Sequence, residues 1–211
     1  MKGYHYIKRG IDIILSGMAI VILSPLLLFL CIAIKLDTPG PILFKQKRVG
    51  IHRSFFQIYK FRTMRIDTPK DVPTHMLENP EQYITKVGKF LRKTSLDELP
   101  QLLNTLKGDM SLVGPRPEIP YYVEQFRETV PLYMVKYQVR PGMTGWAQVN
   151  GYRGDTSIPA RVEHDLWYIE NWSFGLDLKI LLMTAFGGMI NSEKLGGAKE
   201  EGKNDSSQPV A

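Results

Sequence analysis

Hydrophobic and polar positions are unevenly distributed along this chain. Residues 13–34 are an apolar run of twenty-two residues without a charge, about 33 Å long if helical, against a bilayer hydrocarbon core of about 30 Å. The breaker cluster Asp37-Thr38-Pro39-Gly40-Pro41 ends that run. Two short apolar segments, Ile42-Leu43-Phe44 and Phe55-Phe56-Gln57-Ile58-Tyr59, flank a turn at Gly50 and predict a small β-hairpin. Residues 67–80, with three prolines among polar side chains, read as a loop. Helical periodicity predicts helices over 87–92, 99–106, 118–128 and 158–172. Residues 177–190 are apolar nearly all round but too short to span a bilayer, so that helix is expected to be buried or to lie in the membrane interface. From Ser192 onward the chain is rich in Gly, Lys, Glu and Ser, the composition of a disordered tail. There is no internal repeat. The expected architecture is therefore α+β and helix-rich, with a membrane element over 1–36, one domain containing a small hairpin and interfacial amphipathic helices over 37–191, and a tail over 192–211.

The flanks of the apolar run change its meaning. Lys8 and Arg9 precede it, and Lys35, Lys45, Lys47 and Arg48 follow it. Under the positive-inside rule both ends then favour the cytoplasm. Pro25 removes a backbone hydrogen bond in mid-run and crowds the preceding turn, while Ser24 can return a hydrogen bond to the carbonyl left free. A helix broken at Ser24-Pro25 can enter the membrane and leave on the same side, a re-entrant element. An ordinary spanning helix with a tolerated proline stays open as the alternative. A signal peptide fits less well, since the run is long for one and no small-residue cleavage site follows.

Composition narrows the function classes. The formal net charge is +6, yet residues 1–65 hold eleven Lys and Arg against Asp12 and Asp37, a local +9, so the remainder carries −3. Basic charge beside an apolar run points to anionic headgroups or phosphorylated ligands rather than to a nucleic-acid surface. The single cysteine, Cys31, cannot form an intramolecular disulfide, which suits a reducing cytoplasmic setting. One cysteine and four scattered histidines do not make a zinc site of the usual kind. A metal here is expected to be a hard cation on oxygen ligands, such as Mg²⁺.

The candidate chemistry lies in two runs. In Ser95-Leu96-Asp97-Glu98-Leu99-Pro100-Gln101, adjacent carboxylates sit at a predicted helix N-terminus, where the dipole favours an anion and Asp97 is suited to act as a nucleophile or Mg²⁺ ligand. The same residues also match a capping box, Ser95 with Glu98, in which Glu98 would only cap the helix; Pro100 disfavours that register. In Leu112-Val113-Gly114-Pro115-Arg116-Pro117, two prolines present one arginine rigidly, as an anion site does. Lys60-Phe61-Arg62-Thr63-Met64-Arg65 would place Lys60 and Arg62 on one strand face, either as phosphate ligands or as a solvated edge. Arg92, five residues before Asp97, is a further candidate cation. The run from Arg140 to Gly151 is either a plain turn or the wall of a nucleotide pocket. Asp165 and Tyr168 share a helix face in 163–172, whose aromatics suggest interface anchoring.

Together, Lys8-Arg9, Ser24-Pro25, Gln46-x-Arg48-Val49-Gly50, Lys60-Phe61-Arg62-Thr63-Met64, Leu96-Asp97-Glu98-Leu99-Pro100-Gln101, Leu112-Val113-Gly114-Pro115-Arg116-Pro117 and the segment 142–151 resemble the bacterial sugar transferase family, the monotopic phosphoglycosyl transferases, in their small single-domain form. The resemblance implies transfer of a sugar 1-phosphate from a UDP-sugar to polyprenol (undecaprenyl) phosphate on the cytoplasmic face of the bacterial inner membrane, with release of UMP, as the first membrane step of surface glycan assembly. It implies Asp97 as a nucleophile forming a covalent phosphosugar intermediate, Glu98 as its acidic partner, and Mg²⁺ at Asp97. By the same resemblance Lys60, Arg92 and Arg116 are active-site cations, and Ser24-Pro25 is the re-entrant break. Association with the bilayer, and with downstream glycosyltransferases or a second copy, accords with it; nucleic acid does not. Residues 51–53 depart from the small, Gly-containing turn expected there. A nonenzymatic basic scaffold on the membrane and a bitopic protein with a true span are the alternatives.

Overall fold

The computed structural model describes residues 2–68, 79–154 and 156–187, and for residues 2–5 and 80 the backbone alone. The expected tail over 192–211 and most of the expected loop over 67–80 lie outside the described residues. The apolar run is part of one helix, α1 (Lys2–Asp37), which contains Pro25. Pro25 has no N–H for the carbonyl of Val21, and the Ser24 hydroxyl donates to that same carbonyl at 2.8 Å. The proline is thus accommodated without ending the helix. Most of the large apolar side chains of α1 face outward, among them Ile14, Met18, Val21, Ile22, Leu28, Phe29 and Ile32.

Both arms of α1 grip the rest of the chain. In the first arm Lys8 Nζ pairs with Asp177 at 2.6 Å, Arg9 donates to the carbonyls of Thr105 and Leu106, and buried Asp12 accepts from the Leu112 amide at 3.1 Å. In the second arm Leu30 and Ile34 are buried against Phe61 and Leu91, and Asp37 accepts from the Val87 amide at 3.0 Å.

The predicted hairpin is present and longer than expected. β1 (Leu43–Val49) pairs antiparallel with β2 (Phe55–Phe61) across seven residue pairs. Their connection is a short turn in which His52 and Arg53 take left-handed φ values of 51° and 62°, a costly conformation where a glycine would be usual. After the hairpin come α2 (Lys86–Thr94), a single 3₁₀ turn (Leu96–Glu98) and α3 (Gln101–Lys107). The sequence did not reveal a parallel pair of three-residue strands, β3 (Ser111–Val113) and β4 (Gly142–Thr144). Between them runs α4 (Pro120–Thr129), and after them α5 (Trp146–Val149), α6 (Ile158–Glu170) and α7 (Phe174–Gly187). The α+β, helix-rich reading holds.

The polar and aromatic side chains of α6 are largely engaged inside the protein, while Trp167 stays partly exposed. Asp165 is buried in an ion pair with Lys136 at 3.0 Å, and the Tyr168 hydroxyl donates to Asp177 at 2.6 Å. Trp167 stacks on Trp146 with ring centroids 4.9 Å apart. In α7 Asp177 and Ile180 are buried, while Phe174, Leu178, Leu182 and Phe186 form an exposed stripe at every fourth residue.

Asn104 fastens the hairpin to α3. Its amide oxygen accepts from the Tyr59 amide at 2.9 Å and its nitrogen donates to the Gln57 carbonyl at 2.7 Å, so a side chain stands in for a neighbouring strand on the outer edge of β2. The Asn104 backbone carbonyl also receives the amides of Gly108, Asp109 and Met110. Because truncation strips partners from two backbone groups on the strand that bears Lys60, Asn104→Ala is expected to destabilise the protein by about 2–4 kcal/mol. Urea unfolding of the purified protein in detergent micelles checks this; a loss below about 1 kcal/mol would show that water serves the strand edge equally well.

Candidate active site

Three separate segments meet at one carboxylate. α2 ends where Ser95 turns left-handed at φ 57°, which redirects the chain into the Leu96–Glu98 turn. Pro100 then sets the first helical φ ahead of α3. The Ser95 side chain makes no capping hydrogen bond, and the Glu98 carboxylate turns elsewhere. Its Oε1 accepts from Lys60 Nζ at 2.7 Å and from Arg116 Nη2 at 2.9 Å. The capping-box reading is thereby set aside: Glu98 is the anion on which β2, the 3₁₀ turn and the Pro115-Arg116-Pro117 loop converge.

The electrostatics divide the two acids. Burial of Glu98 favours its neutral form, but Arg116 and Lys60 outweigh burial and hold the carboxyl well below the usual range. The charge of Glu98 in turn raises the Arg116 guanidinium. Burial lowers Lys60 more than Glu98 raises it, and the nearby Arg116 charge adds to the lowering. At Asp97 burial wins: the carboxyl is raised, with the neighbouring Glu98 charge adding to burial and Lys60 and Arg92 opposing. The helix N-terminus alone predicts the opposite direction. Environments that push paired acids apart in this way are a mark of divided roles.

Arg92 serves Asp97. Its Nε donates to Thr63 Oγ1 at 2.9 Å, and Asp97 is the largest charge acting on its guanidinium, against burial. Thr63 is placed by α2 itself, where a Cβ at Gly88 would come within 2.0 Å of the Thr63 carbonyl oxygen, so only glycine permits the approach. Arg62 does not join the site. It follows the last residue of β2 and donates to the carbonyls of Pro39 at 2.6 Å and Thr38 at 2.8 Å, bracing the break after α1. The alternation that put Arg62 beside Lys60 fails because the strand ends at Phe61.

A cation that the sequence reading did not single out is Arg153, two residues past the run that ended at Gly151. Burial lowers its guanidinium, Glu98 and Asp97 raise it and Arg116 lowers it further, so it lies in the field of the acid pair. The bracketing glycines, Gly151 and Gly154, were the available signal.

The oxygens present suit a hard cation. No cluster of three or more metal-binding side chains occurs among the described residues. Asp97 receives no side-chain hydrogen bond there, and Glu98 leaves Oε2 without a partner. One or two carboxylates completed by substrate phosphate oxygens and water is the usual arrangement for Mg²⁺.

Residues 3–191 match the family model for bacterial sugar transferases. The chain is 44% identical over 189 residues to the UDP-glucose:undecaprenyl-phosphate glucose-1-phosphate transferase of Escherichia coli (strain K12), covering 88% of this chain and 40% of that protein. It is 46% identical over 183 residues to the UDP-N-acetylgalactosamine-undecaprenyl-phosphate N-acetylgalactosaminephosphotransferase of Aeromonas hydrophila, covering 86% of this chain and 43% of the other. It is also 43% identical over 185 residues to the exopolysaccharide production protein PSS of Rhizobium leguminosarum bv. phaseoli, of which it covers 92%. The chain belongs to the bacterial sugar transferase family. It spans about 40% of the length of the first two relatives.

The lowered acidity range of Glu98 predicts a pH signature. With its folded value below the ordinary one near 4.5, its ion pairs stabilise the protein fully above that value and lose their effect as pH falls through it towards the folded value. Thermal unfolding in EDTA should therefore show wild type well above Glu98→Gln at pH 7, with the gap shrinking below about pH 4.5. A gap independent of pH would show that the amide loses packing rather than charge.

Proposed function

We propose that this protein transfers a sugar 1-phosphate from a UDP-sugar to a polyprenol phosphate such as undecaprenyl phosphate, releasing UMP, at the cytoplasmic face of a bacterial inner membrane. The observation that carries this reading is the divided acid pair: Glu98 is locked by Lys60 and Arg116, leaving Asp97 beside it for chemistry. The printed activities of the Escherichia coli and Aeromonas relatives support the substrate classes.

In the first half-reaction an Asp97 carboxylate oxygen attacks the sugar-bearing phosphorus. A bond from Asp97 oxygen to phosphorus forms, the phosphoanhydride bond breaks, and UMP leaves with the electron pair. In the second half-reaction a phosphate oxygen of the polyprenol phosphate attacks the same phosphorus, the bond to Asp97 breaks, and the carboxylate returns. Such a displacement depends mainly on alignment and charge stabilisation. Lys60 and Arg116 fix Glu98 and so the turn that presents Asp97. Arg92, held by Thr63 and in the field of Asp97, supplies positive charge for the phosphoryl group arriving there. Mg²⁺ held by Asp97 and the free oxygen of Glu98 would neutralise diphosphate charge.

The grip of α1 on the domain supports a re-entrant reading of the membrane element. A spanning helix separates its ends by the thickness of the bilayer, whereas here Lys8, Arg9 and Asp12 at one end, and Leu30, Ile34 and Asp37 at the other, all engage the same domain. The reading is a re-entrant helix, bent at Ser24-Pro25, that puts its outward apolar face into one leaflet.

Purified protein given UDP-glucose or UDP-N-acetylgalactosamine with Mg²⁺ and no acceptor should release up to one equivalent of UMP and gain the mass of a sugar phosphate. EDTA should stop the reaction and Mg²⁺ should restore it. Asp97→Asn should abolish both signals while folding and membrane association persist; release of UDP in place of UMP would refute the reaction. For topology, Lys2→Cys and Thr38→Cys, each in a Cys31→Ser background, should resist an impermeant thiol reagent in intact spheroplasts and react once the membrane is opened. Labelling of the Lys2→Cys protein in intact cells would establish a true span.

A further inference from the structure

Two cations meet on one oxygen of Glu98, and one face of the hairpin governs both. In the pairing of β1 with β2, Phe44 lies opposite Lys60, Gln46 opposite Ile58 and Arg48 opposite Phe56. Residues directly opposite in an antiparallel ladder share a side of the sheet, and so do alternate residues of one strand. Lys60 and Arg48 therefore stand on the same face. Lys60 reaches Glu98 directly, whereas Arg48 reaches the loop that carries Arg116.

That loop has few ways of being held. Pro115 and Pro117 have no N–H, so at each proline the backbone can be tied only through its carbonyl. On the upstream side the Pro115 carbonyl accepts from the Gly142 amide at 2.9 Å, and the Gly114 amide donates to the Thr144 carbonyl at 2.9 Å. A Cβ at Gly142 would lie 2.1 Å from the Gly114 nitrogen, so this tie is backbone against backbone. On the downstream side the Pro117 carbonyl accepts from a side chain, Arg48 Nη1, at 3.0 Å. Arg48 Nη2 donates to Gln46 Oε1 at 2.6 Å on the same strand face, and Glu118 Oε2 lies 3.9 Å from Nη1. The Glu118 backbone carbonyl accepts from the Val49 amide at 3.0 Å, and its Oε1 accepts from Arg161 at 3.0 Å. Arg161 also donates to the Gly154 carbonyl and so joins α6 to the same brace.

We infer that Arg48 is a positioning residue for the reaction: by holding the Pro117 carbonyl it sets the Pro115-Arg116-Pro117 arch where Arg116 reaches Glu98. The kinetic part of this inference rests on the transfer reaction proposed above. Both Arg48 Nη atoms are engaged by protein acceptors, so Arg48 acts through Arg116 and not on a substrate. A planar fork holds two acceptors at fixed directions, which a flexible ammonium does not. The hairpin is then a common template for the site. Any shift along its axis would carry Lys60 and Arg48 together, and with them both partners of Glu98.

The test is thermal unfolding of the full-length protein in nanodiscs at pH 7 in EDTA, read as the Tm difference between the Glu98 protein and Glu98→Gln. That difference reports how well the two cations reach Glu98. Arg48→Met, which keeps a stem and removes the donors, should shrink it to about half, because one of the two partners is no longer delivered. In an Arg116→Met background Arg48→Met should leave the difference unchanged, since no Arg116 remains to be misplaced. A difference untouched by Arg48→Met would overturn the inference. So would one that shrinks equally with Arg116 absent, which would show that Arg48 acts by its own charge. Arg48→Lys keeps the charge and loses the fork; it should give the same pattern at smaller size and serves if Arg48→Met does not fold. In turnover, Arg48→Met should lower kcat about ten- to a hundredfold, the effect of one charge-assisted contact, with the donor KM within about threefold of wild type. A raised KM at wild-type kcat would also overturn the positioning role. Failure of the wild type to release UMP from any UDP-sugar would overturn the transfer reaction instead, and the Tm comparison would still report on Arg48.

Discussion

A single carboxylate oxygen, on a side chain only 15% exposed, holds the site together. Glu98 Oε1 takes Lys60 from the hairpin and Arg116 from the proline-bracketed loop, contacts that span 38 and 18 residues of sequence. A buried charge is costly unless compensated, and losing one partner costs more than the pair contributes. The surrounding structure therefore has to deliver both cations. Asn104 sets the edge of β2 against α3 and so places Lys60. Arg48, Glu118 and Arg161 fasten the residues that follow Arg116. Asp97, next to the fixed acid, inherits its position without carrying that electrostatic load.

What could be read from the sequence was local. A proline and glycine cluster ended α1, Gly50 marked the place of the hairpin turn that His52 and Arg53 make, and helical periodicity found α2, α3, α4 and α6, and apolar content α7, to within a few residues. The role of Ser24 was legible because both the donor and the carbonyl freed by Pro25 lie within one helical turn. The acid pair was legible as a place. Its meaning was not, because capping and chemistry use the same residue types at the same spacing. Only partners distant in sequence, Lys60 and Arg116, show that Glu98 does not cap the helix.

What was missed depended on distance or on a one-residue boundary. β3 and β4 have three residues each and pair across a long connection, so no alternation betrays them. Arg62 was assigned by strand periodicity, one position beyond the end of the strand. Asp165 and Tyr168 share a face as read, but that face is satisfied by Lys136 and Asp177 inside the protein. Arg153 sits between two glycines whose purpose shows only once Arg161 is seen to hold the turn they form.

The anchoring of α1 at two places makes the helix a ruler with a phase. Asp12 and Leu30, and likewise Ser16 and Ile34, are buried pairs separated by 18 residues, which is five turns at 3.6 residues each. Both arms therefore present the same azimuth to the domain. Between the anchors, outward positions can drift among apolar side chains with little consequence. Adding or deleting one residue there rotates one arm by about 100° and carries its buried side chains off the surface they fit. The history of this segment should accordingly be free in composition and frozen in length.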